Sequence, residues 1–232
     1  MRGTMTAAAL FLLAGCLAET TWAQEPAKPA AATAQATATA APVVTEAKRR
    51  EILRAVETLT GETFADVVRR AEAGDVEAQV LAAIALEEGK VVPTDVDRAG
   101  HWLRTAAEKD HPIAQNMLGN RCREGRGTPQ DSRKAVEWYA KAAAQGYAQA
   151  QSNLGMVHFT GTGVPANPVE AVRLFRLAAE QDNPSGQVRL GLMYTLGAGV
   201  KKDLKEAAAW YRKAAEGGDA SAQVTLGLAY YR

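Results

Sequence analysis

Along residues 113–144 the apolar positions fall into two helical runs. Residues 113–124, IAQNMLGNRCRE, place Ala114, Met117, Leu118 and Cys122 on one face at three- and four-residue spacing. Gly125 and Gly127 follow, and Gly125 suits a left-handed helix cap. Residues 131–144 carry a second apolar set: Ala135, Val136, Trp138, Tyr139, Ala142 and Ala143. Asp131 stands just before that helix, where a short acceptor side chain satisfies free backbone N–H groups. Asp95, Asn167 and Asp203 occupy the same place in neighbouring segments. Asn167 with Glu170 and Asp203 with Glu206 predict reciprocal capping boxes, and Pro168 fits a first helical position. Pro112 marks the restart of the first helix.

The same pattern returns every 36 residues. Ala78-Gln79, Ala114-Gln115, Ala150-Gln151, Gly186-Gln187 and Ala222-Gln223 form one column, and Leu118-Gly119, Leu154-Gly155, Leu190-Gly191 and Leu226-Gly227 another. Ala106-Ala107, Ala142-Ala143, Ala178-Ala179 and Ala214-Ala215 form a third. This many columns without an insertion establish a repeat architecture. The helical glycines cost about 0.8–1 kcal/mol each relative to alanine. They are therefore expected where helices approach too closely for a Cβ. Trp102, Trp138, Leu174 and Trp210 align, as do Leu103, Tyr139, Phe175 and Tyr211. Both columns are expected in the core between stacked helix pairs.

The pattern A-Q-x-x-L-G-x-x-Y, then G-x-G-V, then D-x-x-x-A-x-x-W-Y-x-K-A-A-x-x-G resembles the Sel1-like repeat, a relative of the tetratricopeptide repeat. Residues 185–220 match it nearly throughout, through Gly191, Tyr194, Gly197, Gly199, Asp203, Trp210, Tyr211 and Gly218. The resemblance implies an all-α, right-handed α/α solenoid. Four full repeats are expected at 77–112, 113–148, 149–184 and 185–220, with a partial repeat at 221–232. Residues 46–76 are expected to hold N-terminal helices and a half repeat, with 62–74 in the register of a second helix. Two departures stand out. Val91 replaces the glycine of Gly127, Gly163 and Gly199, so its loop must differ or carry strain. Leu86, Cys122 and His158 fill the column of Tyr194, and Cys122 has no folded partner for the disulfide some family members carry. An exposed solenoid end needs a cap, from residues 46–59 or from another protein, unless the chain is a shortened version of a longer one.

Composition narrows the chemistry. With 27 Lys plus Arg against 26 Asp plus Glu the net charge is +1, which gives no electrostatic reason to expect nucleic acid. Three histidines, scattered through the repeats, make no zinc set, and no metal or cofactor is expected. His101 and His111 fall in outer or turn positions. Cys122 and His158 lie one period apart, and both are expected to replace a core tyrosine rather than form a nucleophile and base. The regular aspartates have capping roles. No catalytic residue is assigned.

What remains is surface. The column Leu81, Met117, Asn153, Arg189 and Thr225 changes its chemistry from repeat to repeat, as does Glu87, Arg123, Phe159, Thr195 and Tyr231. A core column holds its character, so these are expected to be exposed. Met117, Arg123, Asn153, Phe159 and Arg189 are the candidate protein-binding residues, on a groove lined by first helices. The resemblance implies a non-catalytic adaptor, scaffold or regulator of an envelope assembly or signalling system, with a protein or peptide partner. The alternatives are an envelope structural or glycan-associated protein, or a hydrolase of the family.

Residues 1–24 read as an export signal: Arg2, then an apolar run from Met5 to Ala14, too short for a lasting membrane span. Two processing sites compete. Leu13-Ala14-Gly15-Cys16 resembles a lipobox, in which Cys16 is lipidated, and Thr21-Trp22-Ala23 resembles a signal-peptidase site. Residues 25–45, rich in Ala, Pro and Thr, are expected to be a disordered linker. The expected location is the periplasm, free or anchored to the outer membrane through Cys16, with secretion as the alternative.

Overall fold

The computed structural model describes residues 46–220 together with Ala222 and Gln223. The export signal with Cys16, the linker at 25–45 and nearly all of the final partial repeat lie outside the described residues. Within them the chain forms α1 (Glu46–Glu57), α2 (Gly61–Glu72), α3 (Val76–Glu88), α4 (Val96–Glu108) and α5 (Pro112–Glu124). There follow α6 (Ser132–Ala144), α7 (Ala148–Thr160), α8 (Pro168–Ala179), α9 (Pro184–Leu196) and α10 (Leu204–Glu216). No strand occurs among the described residues.

From α3 onward each first helix packs on its second helix, and each second helix on the next first helix. This nearest-neighbour stacking is the all-helical solenoid that the periodicity predicts. Asp95, Asp131, Asn167 and Asp203 are N-caps, as predicted. The two reciprocal boxes are not formed. Asn167 accepts from the Glu170 N–H, but the Glu170 carboxylate is held by Arg173 through two guanidinium hydrogen bonds of 2.7 and 2.9 Å. Asp203 accepts from the N–H groups of Lys205 and Glu206, and nothing is returned. The reciprocal box is at Thr60 and Thr63, opening α2.

Inside each helix pair the small-residue column answers an aromatic ring. A Cβ added to Gly119 would lie 2.5 Å from the Tyr139 ring, one on Gly155 2.6 Å from Phe175, and one on Gly191 3.0 Å from Tyr211. The first pair has Ala83 where the others have glycine, and it has Leu103 where they have a ring. Both are buried. The narrower leucine leaves room for the alanine methyl. The tryptophan column is less enclosed than expected. Trp102 is buried, while Trp138 and Trp210 are half-buried, with Lys141 and Lys213 each 4.4 Å above the ring centroids.

Between repeats the glutamine column makes the connection. Gln79, Gln115 and Gln187 are 2%, 0% and 3% exposed. Their amide nitrogens donate to the carbonyls of Ala71, Ala107 and Ala179, at 3.0, 3.2 and 3.4 Å. Each acceptor lies in the last turn of the preceding second helix, where carbonyls lack an intrahelical partner. Gln145 and Gln181 in turn donate to the amide oxygens of Gln115 and Gln151, both at 2.8 Å. The position corresponding to Gln145 is Lys109 in the first repeat, and its ammonium donates to the Gly74 carbonyl instead. The Gln79 amide oxygen is left buried without a partner.

Two further expectations resolve. Val91 does not adopt the left-handed conformation of Gly127, so the first loop differs in path rather than carrying strain. Val91 packs partly buried against the core. His111 takes the turn position rather than the outer one. It is the half-buried N-cap of α5, makes no cap hydrogen bond, and leaves its Nδ1 buried without a partner. Burial pushes its pKa below the ordinary imidazole range. Nearby Glu77 opposes that shift and Lys48 adds to it.

The glycine–ring contact predicts a coupled pair. Gly119→Ala alone should destabilise the fold by about 1–3 kcal/mol in urea denaturation, from overpacking. With Tyr139→Leu, which recreates the Ala83–Leu103 arrangement, the combined cost should be less than the two single costs added; simple additivity would reject the contact. The His111 environment predicts a pH effect. Its depressed pKa means the unfolded chain takes the proton more readily. The His111 contribution is therefore level above pH ~6.5 and stability falls as pH drops below it. His111→Asn should flatten that fall and add about 1 kcal/mol by capping. Asn183, in the same register, donates the precedent: its side chain accepts from the Gly186 N–H at 2.9 Å. Melting curves from pH 7.5 to 5 check this, and an unchanged slope would refute the assignment.

Candidate functional site

The first helices α3, α5, α7 and α9 form a row whose side chains are linked from repeat to repeat. Asn153 on α7 donates to the Asn116 side chain on α5 at 2.9 Å, and Arg189 on α9 donates to the Ser152 hydroxyl on α7 at 2.5 Å. These links follow from the 36-residue phase, which sets equivalent positions of adjacent first helices beside each other.

At the N-terminal end of the row, α1 packs chiefly on α3. It does not form the close hairpin with α2 that the later first helices form with their second helices. Ile52 and Val56 of α1 are buried, and Arg49, Ile52 and Leu53 line a cleft whose other wall includes Ile84, Glu87 and Met117. A short amphipathic helix of the chain itself thus occupies this end of the face.

A second cleft opens further along, lined by Arg123, Tyr139, Asn153, Met156, Thr160 and Arg189 among others. The Tyr139 ring is buried against Gly119, but its hydroxyl donates to the Asn120 side chain at 2.8 Å and accepts from Arg123 Nε at 3.2 Å. Burial pushes the Tyr139 pKa up, against the opposing pull of Arg123. Arg123 also pairs with Glu124. Arg189 is half-buried, and burial, reinforced by the nearby Arg123 charge, lowers its pKa.

Of the residues singled out from the sequence, Arg123, Asn153 and Arg189 meet in this second cleft. Met117 lies in the first, half-buried against the N-terminal core. Phe159 is in neither. It is half-buried and packs on the cluster containing Phe175, Leu190 and Tyr194, so it is a packing residue at the end of α7. Its column varies because each member satisfies a different local partner. Glu87 pairs with buried Arg121, Arg123 donates to Tyr139, and the Thr195 hydroxyl donates to the Gly191 carbonyl. Exposure is therefore not what makes that column vary.

The sequence reading passed over Asn116, Asn120 and the Tyr139 hydroxyl. A signal existed: Asn116 and Ser152 stand where other repeats have Val80 and Val188, and Asn120 stands in the column of Ile84 and Met156. Polar residues at apolar register positions need partners, and these form the network beneath the cleft.

Cys122 sits in the packed cluster with Tyr139, Leu154 and Leu174, and burial pushes its thiol pKa up, away from a thiolate nucleophile. Among the described residues, no three His, Cys, Asp or Glu side chains gather as a metal site.

The Sel1 repeat profile matches residues 76–111, 112–147, 148–183 and 184–219, more than half of the chain. Among solved structures, a protective antigen of uropathogenic Escherichia coli displaying an SLR fold is 41% identical, with a TM-score of 0.66 over 72% of this chain and 36% of its own. A Sel1 repeat protein from Oxalobacter formigenes is 32% identical, with a TM-score of 0.64 over 73% of this chain and 49% of its own. The chain thus spans half or less of the length of either. No curated protein matches it. With four tandem matches in register with the helix pairs and the glutamine clips, the chain belongs to the Sel1 repeat family.

Proposed function

We propose that this chain is a non-catalytic scaffold that binds a protein partner along its row of first helices and works in the bacterial envelope. Sel1 repeat proteins generally mediate protein–protein interaction. The observation that carries the reading to this face is the convergence of Arg123, Asn153 and Arg189 in one cleft. They come from three successive first helices, and each also bonds to a neighbouring side chain that holds it at the cleft. The seat of α1 at the other end supports a face able to hold a helical or extended segment. The export signal and Leu13-Ala14-Gly15-Cys16 support an address facing the periplasm, with residues 25–45 as a spacer behind a lipidated Cys16.

Cross-linking in intact cells, followed by mass spectrometry, should recover a protein partner. Replacing Arg123 and Asn153 together by alanine should weaken that complex by about thirtyfold, as for a hot spot of 2 kcal/mol, while helicity and melting hold. Unchanged affinity would remove the cleft from the interface. For the tether, the N-terminal fragment of the membrane fraction should carry fatty-acid mass on Cys16, and Cys16→Ser should release a soluble product. An unmodified N-terminus at Gln24 in the wild type would reject the lipid.

A further inference from the structure

Arg121 and Arg189, both drawn in from solvent on first helices, are partnered differently. Arg121 is 4% exposed, and its guanidinium donates to Glu87 at 2.7 Å and to the Val96 carbonyl at 2.8 Å. A cation removed from water is retained at tolerable cost when a carboxylate and further acceptors surround it. Arg189, partly enclosed on α9, donates to the Ser152 hydroxyl and forms no ion pair among the described residues. The charge that bears on it is a second cation, Arg123.

The clefts differ in the same way. The one beside α1 carries Arg49 together with Glu87 and Glu88. The one between α5, α7 and α9 carries Arg123 and Arg189 and no acidic residue in its lining. Glu124 pairs with both Arg123 and Arg126 on the exposed side of α5. Tyr139, Asn153, Thr160 and Thr162 supply uncharged groups around the two guanidiniums. A guanidinium offers a planar fork of donors that matches a carboxylate, and such a hydrogen bond is stronger than a neutral one.

We propose that the cleft between α5, α7 and α9 takes a carboxylate side chain from an acidic peptide segment of the partner, with Arg189 as the enclosed anchor and Arg123 as the second cation at the rim. This rests on the protein-binding reading and names the chemistry of its ligand. The acid supplies the counter-charge that Arg189 lacks, and the flanking peptide runs along the first helices.

The test uses the processed full chain and a fluorescein-labelled hexaglutamate peptide, read by anisotropy at low salt. Hexaglutamine and polygalacturonate serve as comparison ligands. Hexaglutamate should bind, hexaglutamine should not, and Arg189→Gln should weaken binding by at least about tenfold. Arg189→Lys, a point charge without the fork, should fall between. If Arg189→Gln loses helicity, Arg123→Gln at the exposed rim reports in its place, with a smaller loss of the same sign. Equal affinity of wild type and variants, no hexaglutamate binding, or binding of polygalacturonate alone would overturn the proposal. The cell cross-linking separates the two readings. A partner retained by Arg189→Gln overturns acidic recognition and leaves the scaffold standing, whereas recovery of no protein partner by wild type removes both.

Discussion

A buried glutamine hydrogen bond joins successive repeats and sets how they stack. In α3, α5 and α9 a glutamine near the helix start reaches back to a carbonyl in the last turn of the preceding second helix. That carbonyl already accepts a backbone N–H of the following turn, and the glutamine takes its second lone pair, a bond that contributes about 0.5–1.5 kcal/mol. The bond therefore closes one repeat and positions the next. Where a second glutamine backs it, as Gln145 backs Gln115, the amide is held at both ends. A hydrogen bond has direction and length, which hydrophobic contact does not, so it sets the phase at which successive pairs stack.

That phase has a consequence for the surface. With repeats in register, equivalent positions of adjacent first helices lie side by side, and short polar side chains bridge them. Asn153 reaches Asn116, and Arg189 reaches Ser152. The glycine–ring contact acts within a repeat, drawing the two helices of a pair together. It buries the Tyr139 ring while letting the hydroxyl emerge under Arg123. One residue thus belongs both to the packing inside a pair and to the polar floor of the cleft.

Much of the fold was legible in the sequence because packing and capping act on residue type at fixed spacing. The period, the caps at Asp95, Asp131, Asn167 and Asp203, and the close approach at Gly119 could all be read from columns. The reciprocal boxes at Asn167 and Asp203 could not, since spacing does not reveal that Arg173 holds the Glu170 carboxylate. The candidate site was legible only in part. Column variation points to Arg123, Asn153 and Arg189, which share one cleft, but also to Phe159, which packs on the cluster of Phe175, Leu190 and Tyr194. Asn116 and Asn120 were missed because the apolar character of their columns in other repeats hid them. The role of the recurring glutamines was invisible, since their acceptors are backbone atoms that carry no sequence signal.

Repeats held in phase would give the first helices one shared binding face. A photo-activatable benzoylphenylalanine placed at Thr160, on the rim of the cleft, tests it in living cells. Leu177, partly exposed on the second helix α8, is the control position. A protein adduct of defined mass is expected from position 160 and none from position 177, with both variants retaining their helicity. Adducts from position 177 alone would contradict it and move the binding surface to the second helices.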